Sequence, residues 1–426
     1  MKKLNYIIAA LLLFTGGIFA QSNIANVTES GQDQNATIDQ KGVLNQSYVN
    51  QSNKANTALV TQINKYRNTN TYSEVDQTGQ TNKAKVEQTS RSPLSGGKIE
   101  AYITQSGNLN EAVQVQGPHL LQGRTFGEII QGGNENYASQ HQVKNGNVAR
   151  INQAGNKNNA KQGQDIELLD EEEGSFNIAL IDQAGNLNTA TQRQNGAAND
   201  AKINQSGSDN KADQIQYGGL NIAKADQSGS SNVSMQNQKF IGNFADADQS
   251  GNYNTSEQVQ DFGGLNMASV NQSGDLNTSL QIQLGLKNVA MVDQSGLGNS
   301  ADQSQVGMMN KAKIDQASTT SKAIQIQKSG LSCADISNNA EIVQLGGSNN
   351  YALQDQTSLG EAALLNNAMI TQDGSSNFAT QTQTGGDNST LSSSIRLGSI
   401  SMRRTLWLPA MVTLTMPAPA SPTTSI

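Results

Sequence analysis

Gln183, Gln194, Gln205 and Gln216 stand eleven residues apart, and Asn188, Asn199, Asn210 and Asn221 each follow at a constant offset of five. The group repeated in this way is the primary amide, which donates through its N–H bonds and accepts through its carbonyl oxygen. Its natural partner is a second amide held at the right distance, so the chemistry on offer is hydrogen bonding rather than proton transfer or nucleophilic attack. His119 and His141 are the only histidines, and neither lies near a nucleophile motif or a cluster of metal-ligand types. No catalytic residue, metal ligand or cofactor is expected.

The unit reads Gln, any residue, usually Gly, two further residues, Asn at +5, Ala or Ser at +7, and Gln again at +11. It continues through Gln227, Gln238, Gln249 and Gln260 and, after one extra residue, through Gln272, Gln283, Gln294, Gln305, Gln316 and Gln327. The interleaved asparagines are Asn232, Asn243, Asn254, Asn277, Asn288, Asn299 and Asn310. Earlier copies include Gln77 to Gln88, Gln105 to Gln116 and Gln131 to Gln164, and Gln372 to Gln383 is the last clean one. Position +9 doubles the period, because it is Ile203, Ala225, Ala247, Val270, Val292 and Ile314 in one half and Gln192, Gln214, Gln236, Gln258, Gln281, Gln303 and Gln325 in the other. A period of 22 residues with unlike halves is the signature of a stacked repeat array rather than of several globular domains.

Eleven residues is also three helical turns, so a right-handed coiled coil has to be considered. Such a coil needs an apolar stripe, whereas this repeat places a glycine in most copies, at about 1 kcal/mol each in a helix interior. Read with period two, Asn210, Ala212, Gln214 and Gln216 share one face of a strand, with Lys211, Asp213 and Ile215 on the other. The expected fold is therefore all-β: a β-solenoid of 22-residue strand-turn-strand-turn coils, each of two 11-residue halves. The segment from Asn to Gln is the predicted strand, and the residues around Gly are the predicted turn. Gly185, Gly207, Gly229, Gly251, Gly274 and Gly296 are the turn glycines, placed where the chain must adopt a positive φ. With coils about 4.8 Å apart, Gln sits over Gln and Asn over Asn, which allows the continuous amide ladders of cross-β assemblies. Ladders satisfy buried polar groups without a large apolar interior.

Composition agrees with a thin interior. Of 426 residues, 35% are hydrophobic, 4% aromatic and 15% charged, with a net charge of -7. A core of packed Leu, Phe and Trp is not available, yet the charge is lower than self-repulsion usually requires for disorder. No basic patch stands out, so nucleic acid is not an expected partner. The single cysteine, Cys333, excludes an internal disulfide framework.

Residues 1–20 have a basic start, an apolar run from Ile7 to Phe14 and small residues towards Ala20. They read as a secretory signal, the run being too short for a membrane span. Residues 21–390 form the array, with insertions near 89–98, 117–128, 165–174, 328–337 and 357–365. The third insertion, "DIELLDEEEG", is a strongly acidic loop. Residues 391–426 lack the repeat, contain the only Trp, and read either as a distinct terminal segment for anchoring or secretion or as a shifted frame. Moving Met411–Ala418 forward by two bases forces Gly, permits Asn three places on, and forces Ala after five, which is the repeat itself.

The pattern Gln-x-Gly-x-x-Asn-x-Ala-x-x-x-Gln resembles the curlin repeat of curli-type functional amyloids and covers most of residues 29–390. The resemblance implies a secreted subunit that passes through the periplasm and self-assembles, with cross-β order, into extracellular fibres for biofilm matrix and adhesion. It further implies an outer-membrane secretion pore, a periplasmic chaperone, and partners that are copies of the chain, other curlin-like subunits or a nucleator. The departures are that both halves usually begin with Asn, and that the array is longer than a typical subunit. A monomeric β-solenoid adhesin or surface-binding protein is the alternative. An ice-binding version of it calls for regular outward Thr rows, whereas the outward positions here mix Lys, Asp, Asn and Ser.

On the outward parity, Asp226, Asp248, Asp293 and Asp315 each precede a Gln, with Asn204 and Asn271 in equivalent places. Stacked about 5 Å apart, such carboxylates repel one another, so they are candidate charge gatekeepers that slow assembly until protonated.

Overall fold

The computed structural model describes residues 22–65, 69–90, 97–119, 124–144, 146–164, 176–330, 338–358, 366–384, 388–396 and 401–402. The predicted signal, most of the terminal tail and the centres of the five insertions lie outside the described residues. The fold is all-β with no helix among the described residues, and it is a parallel β-solenoid with a coil spacing of about 22 residues. The chain divides into two compact units, Met1–Gln205 and Ser206–Ile426.

Within each unit the strands alternate between two parallel sheets. One is here termed the mixed sheet, because its inward positions run Ala, then Ile, Val or Ala, then Gln. In the first unit it includes Val148–Asn156 and Ile178–Asn186, and in the second Ile222–Ser230, Phe244–Asn252, Met267–Asp275, Val289–Leu297 and Lys311–Thr319. The other is the twin-glutamine sheet, whose inward run of Ala or Ser, Gln, Gln occurs in Thr189–Ala197 of the first unit. In the second unit it occurs in Lys211–Gly219, Val233–Ile241, Thr255–Asp261, Thr278–Leu286, Ser300–Met308 and Lys322–Lys328. The first three strands of this sheet carry Ile38, Val60 and Val86 where later ones carry the first glutamine.

Pairing is in register coil on coil: Ala223 lies beside Ala245, Ala225 beside Ala247 and Gln227 beside Gln249. A slip of one residue would turn every inward amide to solvent, so the alternation itself specifies the register. The insertions lengthen single coils while the glutamine columns stay in register. Gln153 pairs with Gln183, thirty residues on across the acidic insertion, and Gln77 with Gln105, twenty-eight residues on.

The strand limits differ from the sequence expectation. Strands start after the asparagine and run through the Gln and past the glycine, as in Ile222–Ser230, so they are longer and the turns shorter than predicted. The reason lies in the backbone at the corner. Gly229 has φ 97 and stays in the ladder, while the reversal is completed by Ser231 at φ 58, immediately before Asn232. The residue before the asparagine takes this left-handed conformation along the array, including Leu187, Asp209, Tyr253, Leu265 and Leu276. Non-glycine residues tolerate it at about 1–2 kcal/mol each, offset by stacked backbone bonds such as Tyr253 N to Ser230 O at 2.9 Å.

The glycine itself is needed for space as well as for φ. A Cβ added at Gly251 would sit 2.1 Å from the carbonyl oxygen of Gly274 in the next coil. Gly251→Ala is therefore expected to destabilise the second unit by about 2–4 kcal/mol through positive φ and overpacking together, measured by denaturant unfolding. A cost no larger than that of an outward Ser→Ala change would refute the close approach.

Candidate functional site: stacked amide ladders

The feature with chemistry in it is the interior. Every glutamine and asparagine singled out from Gln183 to Gln316 is buried, and the largest fully buried apolar side chains are isoleucines such as Ile203, Ile314 and Ile342. A polar interior of this kind is stable only if each amide finds its partners.

Gln249 shows how this is done. Its Nε2 donates to Oε1 of Gln272 in the next coil at 2.8 Å, and also to the carbonyl of Val233 in the opposite sheet at 2.9 Å. Its Oε1 in turn accepts from Gln227 at 2.8 Å. The mixed-sheet column continues through Gln294 and Gln316 to Gln344, and the outer column of the twin-glutamine sheet runs from Gln216 through Gln238, Gln260, Gln283 and Gln305 to Gln327. In the first unit Gln183 donates to Gln205 at 2.8 Å and Gln164 to Gln194 at 2.9 Å. The second hydrogen of each amide joins the two sheets across the core.

A third column was not singled out as a site from the sequence. Gln214, Gln236, Gln258, Gln281, Gln303 and Gln325 form a ladder of their own at 2.7–2.9 Å. The alternation at +9 was the available signal for it. The residue at +9 in the mixed sheet is instead apolar and buried, as at Ile203, Val270 and Ile314.

The asparagines behave differently from the simple expectation of amide over amide. Oδ1 of Asn232 accepts from the backbone N of Asn254 at 3.0 Å, and its Nδ2 donates to two carbonyls, Ser228 at 2.9 Å and Gly251 at 2.9 Å. Asn254 and Asn277 repeat the pattern, Asn277 N meeting Asn254 Oδ1 at 2.9 Å. Asparagine is one methylene shorter than glutamine, so its amide reaches backbone groups that the reversal leaves open. Asn243, Asn266, Asn288 and Asn310 add some side-chain contacts to this backbone pattern.

The ladders have a direction, since Nε2 always points to the following coil. In the strand Ile24–Gln32 the ladder position opposite Gln51 is occupied by Glu29. An ionised carboxylate accepts but does not donate, and Oε1 of the buried Gln51 has no partner. Glu29→Gln supplies the missing donor and is expected to stabilise the first unit by about 1 kcal/mol. Unfolding curves that coincide for the two proteins would show that the vacancy carries no penalty.

Outside the core, the gatekeeper aspartates lie in one column, divided by Asn271 into two neighbouring pairs. Asp226 lies beside Asp248 and Asp293 beside Asp315, with Asn271 between the pairs. Lys224, which sequence reading did not single out, forms an ion pair with Asp226 and lies 3.7 Å from Asp246. Burial, then the Asp315 charge, pushes the Asp293 carboxyl above the ordinary carboxylate range, with Lys313 opposing. Burial likewise raises Asp246 and Asp302. A raised acid pKa means that the stacked state binds its proton at higher pH than the unfolded chain, so stability falls as pH rises through the raised value. Asp293→Asn should therefore be more stable than the parent at pH 7, and the difference should vanish once the pH drops below about 4, where the unfolded carboxyl also protonates. A difference independent of pH would assign the effect to packing.

Among the described residues no group of three or more His, Cys, Asp or Glu is placed to hold a metal ion. The side chain of His119 lies outside the described residues. No protein-family model matches this chain, and no curated protein matches it either.

Proposed function

We propose that this chain is a secreted structural subunit that self-assembles into curli-like extracellular amyloid fibres for biofilm matrix and adhesion. The observation that carries this reading is the directional amide ladder, whose first described coil is covered by no other described strand. In the first described coil Gln40 donates forward to Gln62 at 2.8 Å, and the strand Ile24–Gln32 is exposed along nearly its whole length. An exposed strand edge invites a further strand. A coil of identical pattern extends backbone and amide ladders together, which no unrelated partner does as well. The residues at work are the inward glutamines and asparagines, and their role is structural. On this reading the chain reaches the outside by way of the periplasm and an outer-membrane pore. Its partners there are copies of itself, related subunits or a nucleator.

A monomeric solenoid adhesin is the second reading, and one observation favours it. On the outer face of the first unit Tyr48, Tyr72, Tyr102 and Phe126 form a file with ring centroids 5.4–5.7 Å apart, flanked by Arg124 and Arg150.

Fibre diffraction and seeded dye-binding kinetics on the purified chain separate the two. Self-assembled fibres with reflections near 4.7 and 10 Å and no lag after seeding are expected. A β-rich monomer that stays unassembled at micromolar concentration, seeded or not, would reject the fibre reading in favour of the adhesin.

A further inference from the structure

The two corners of each coil differ in a way that the repeat motif does not require. In the second unit, the passage from mixed to twin-glutamine sheet is built on Ser-Gly steps such as Ser206–Gly207 and Ser228–Gly229, and carries Asp209, Ser231 and Thr320, with Tyr253, Leu276 and Leu297 between as its exposed apolar residues. The return passage carries large apolar side chains in successive coils: Leu220, then Phe240 and Ile241, then Phe262 and Leu265, then Leu286. They are 39–72% exposed, and the rings of Phe240 and Phe262 approach to 6.5 Å. Backbone bonds bring these corners into one file, Leu265 N meeting Ile241 O at 3.0 Å and Met309 N meeting Leu286 O at 2.9 Å.

Position along the chain adds a second observation. All five insertions fall on this same passage, between a twin-glutamine strand and the next mixed strand. In the second unit they interrupt it at 328–337 and 357–365, whereas from Leu220 to Met309, the stretch that carries the apolar residues, it is lengthened only by the single extra residue between Gln260 and Gln272. A corner that admits loops elsewhere is kept low where it is apolar, as a surface that must lie flat against a partner requires.

We infer that this ridge pairs laterally with the same ridge of a second copy of the chain. The ridge repeats once per coil, about 4.8 Å, and a partner that meets it residue for residue must share that axial repeat. Of the charges along the ridge, Lys239 and Asp261 are paired with each other at 2.7 Å, which leaves Lys287 as the one exposed charge beside it among the described residues. The same patch on both partners gives a self-complementary, two-fold contact. Its length of about 20 Å is narrow beside the roughly 800 Å² per partner of a stable interface. Single chains therefore pair weakly, and stacked chains pair strongly because many ridges act at once. This last step rests on the fibre reading, and it makes the ridge the element that joins filaments side by side.

The test uses the full chain carrying Phe240→Ser, Phe262→Ser and Leu265→Ser, all exposed positions whose loss leaves the ladders intact. Electron microscopy is expected to show paired filaments for the parent and a roughly tenfold lower paired fraction for the variant, with seeded growth unchanged. Pairs that persist in the variant, or parent filaments that never pair, overturn the inference. If neither protein forms filaments, the fibre reading fails and pyrene decides the ridge alone, attached at Ile241→Cys or Ser231→Cys in a Cys333→Ser background. Excimer emission from concentrated chain labelled at position 241 and not at 231 supports pairing. Its absence at both, or equal emission at both, refutes it. Phosphatidylcholine vesicles that abolish the excimer and take up the label would give the ridge to a lipid surface and overturn the inference as well.

Discussion

A buried primary amide must place both hydrogens and its oxygen, and the translation from one coil to the next is what makes that possible here. An interior glutamine such as Gln249 uses one hydrogen along the stack, one across it, and its oxygen for the coil behind. Leaving any of these unmade costs about 1–3 kcal/mol. The ladder is therefore a register device as much as a source of stability, because only strict in-register stacking satisfies every amide at once.

The rest of the interior follows from that constraint. Since the glutamine side chain reaches the carbonyl of the facing sheet, the two sheets lie close and the neighbouring positions take alanine, with isoleucine or valine where one column of the mixed sheet needs filling. The corners have to return the chain within the same thickness. Glycine at the approach to the next coil and a left-handed residue before the asparagine achieve this, and the asparagine amide closes the carbonyls that the reversal exposes. Interior, corner and backbone are thus one hydrogen-bonded system, and little of it is left to apolar packing.

The outer surface is freed from these demands and varies accordingly. Lys224 sits beside Asp226 and Asp246 on the mixed sheet of the second unit, aromatic rings gather on that of the first, and insertions enter at one corner. None of these disturbs the ladders, since outward side chains alternate strictly with inward ones. Distinct surface properties can therefore be carried on one repetitive interior.

The spacing of Gln, Gly and Asn and the alternation at +9 by themselves determined an all-β solenoid with 22-residue coils and buried amides, because period-two alternation and a glycine in nearly every unit leave no helix to form. They also determined which glutamines and asparagines lie inside. The tertiary structure alone decided how those amides are used: the second glutamine hydrogen crosses the core, and the asparagine serves backbone groups rather than its own copy. It alone showed the consequence of Glu29 standing in the Gln position of a unit that keeps Gly31, Ala36 and Gln40, because the unpartnered Oε1 of Gln51 is seen only when the two are stacked. The sidedness of the corners was likewise hidden, since both turns read as short glycine-containing links until the strands on either side are assigned to sheets. Local pattern dictates which face of a strand is buried, whereas the partner of a buried group depends on what the stack brings beside it in space.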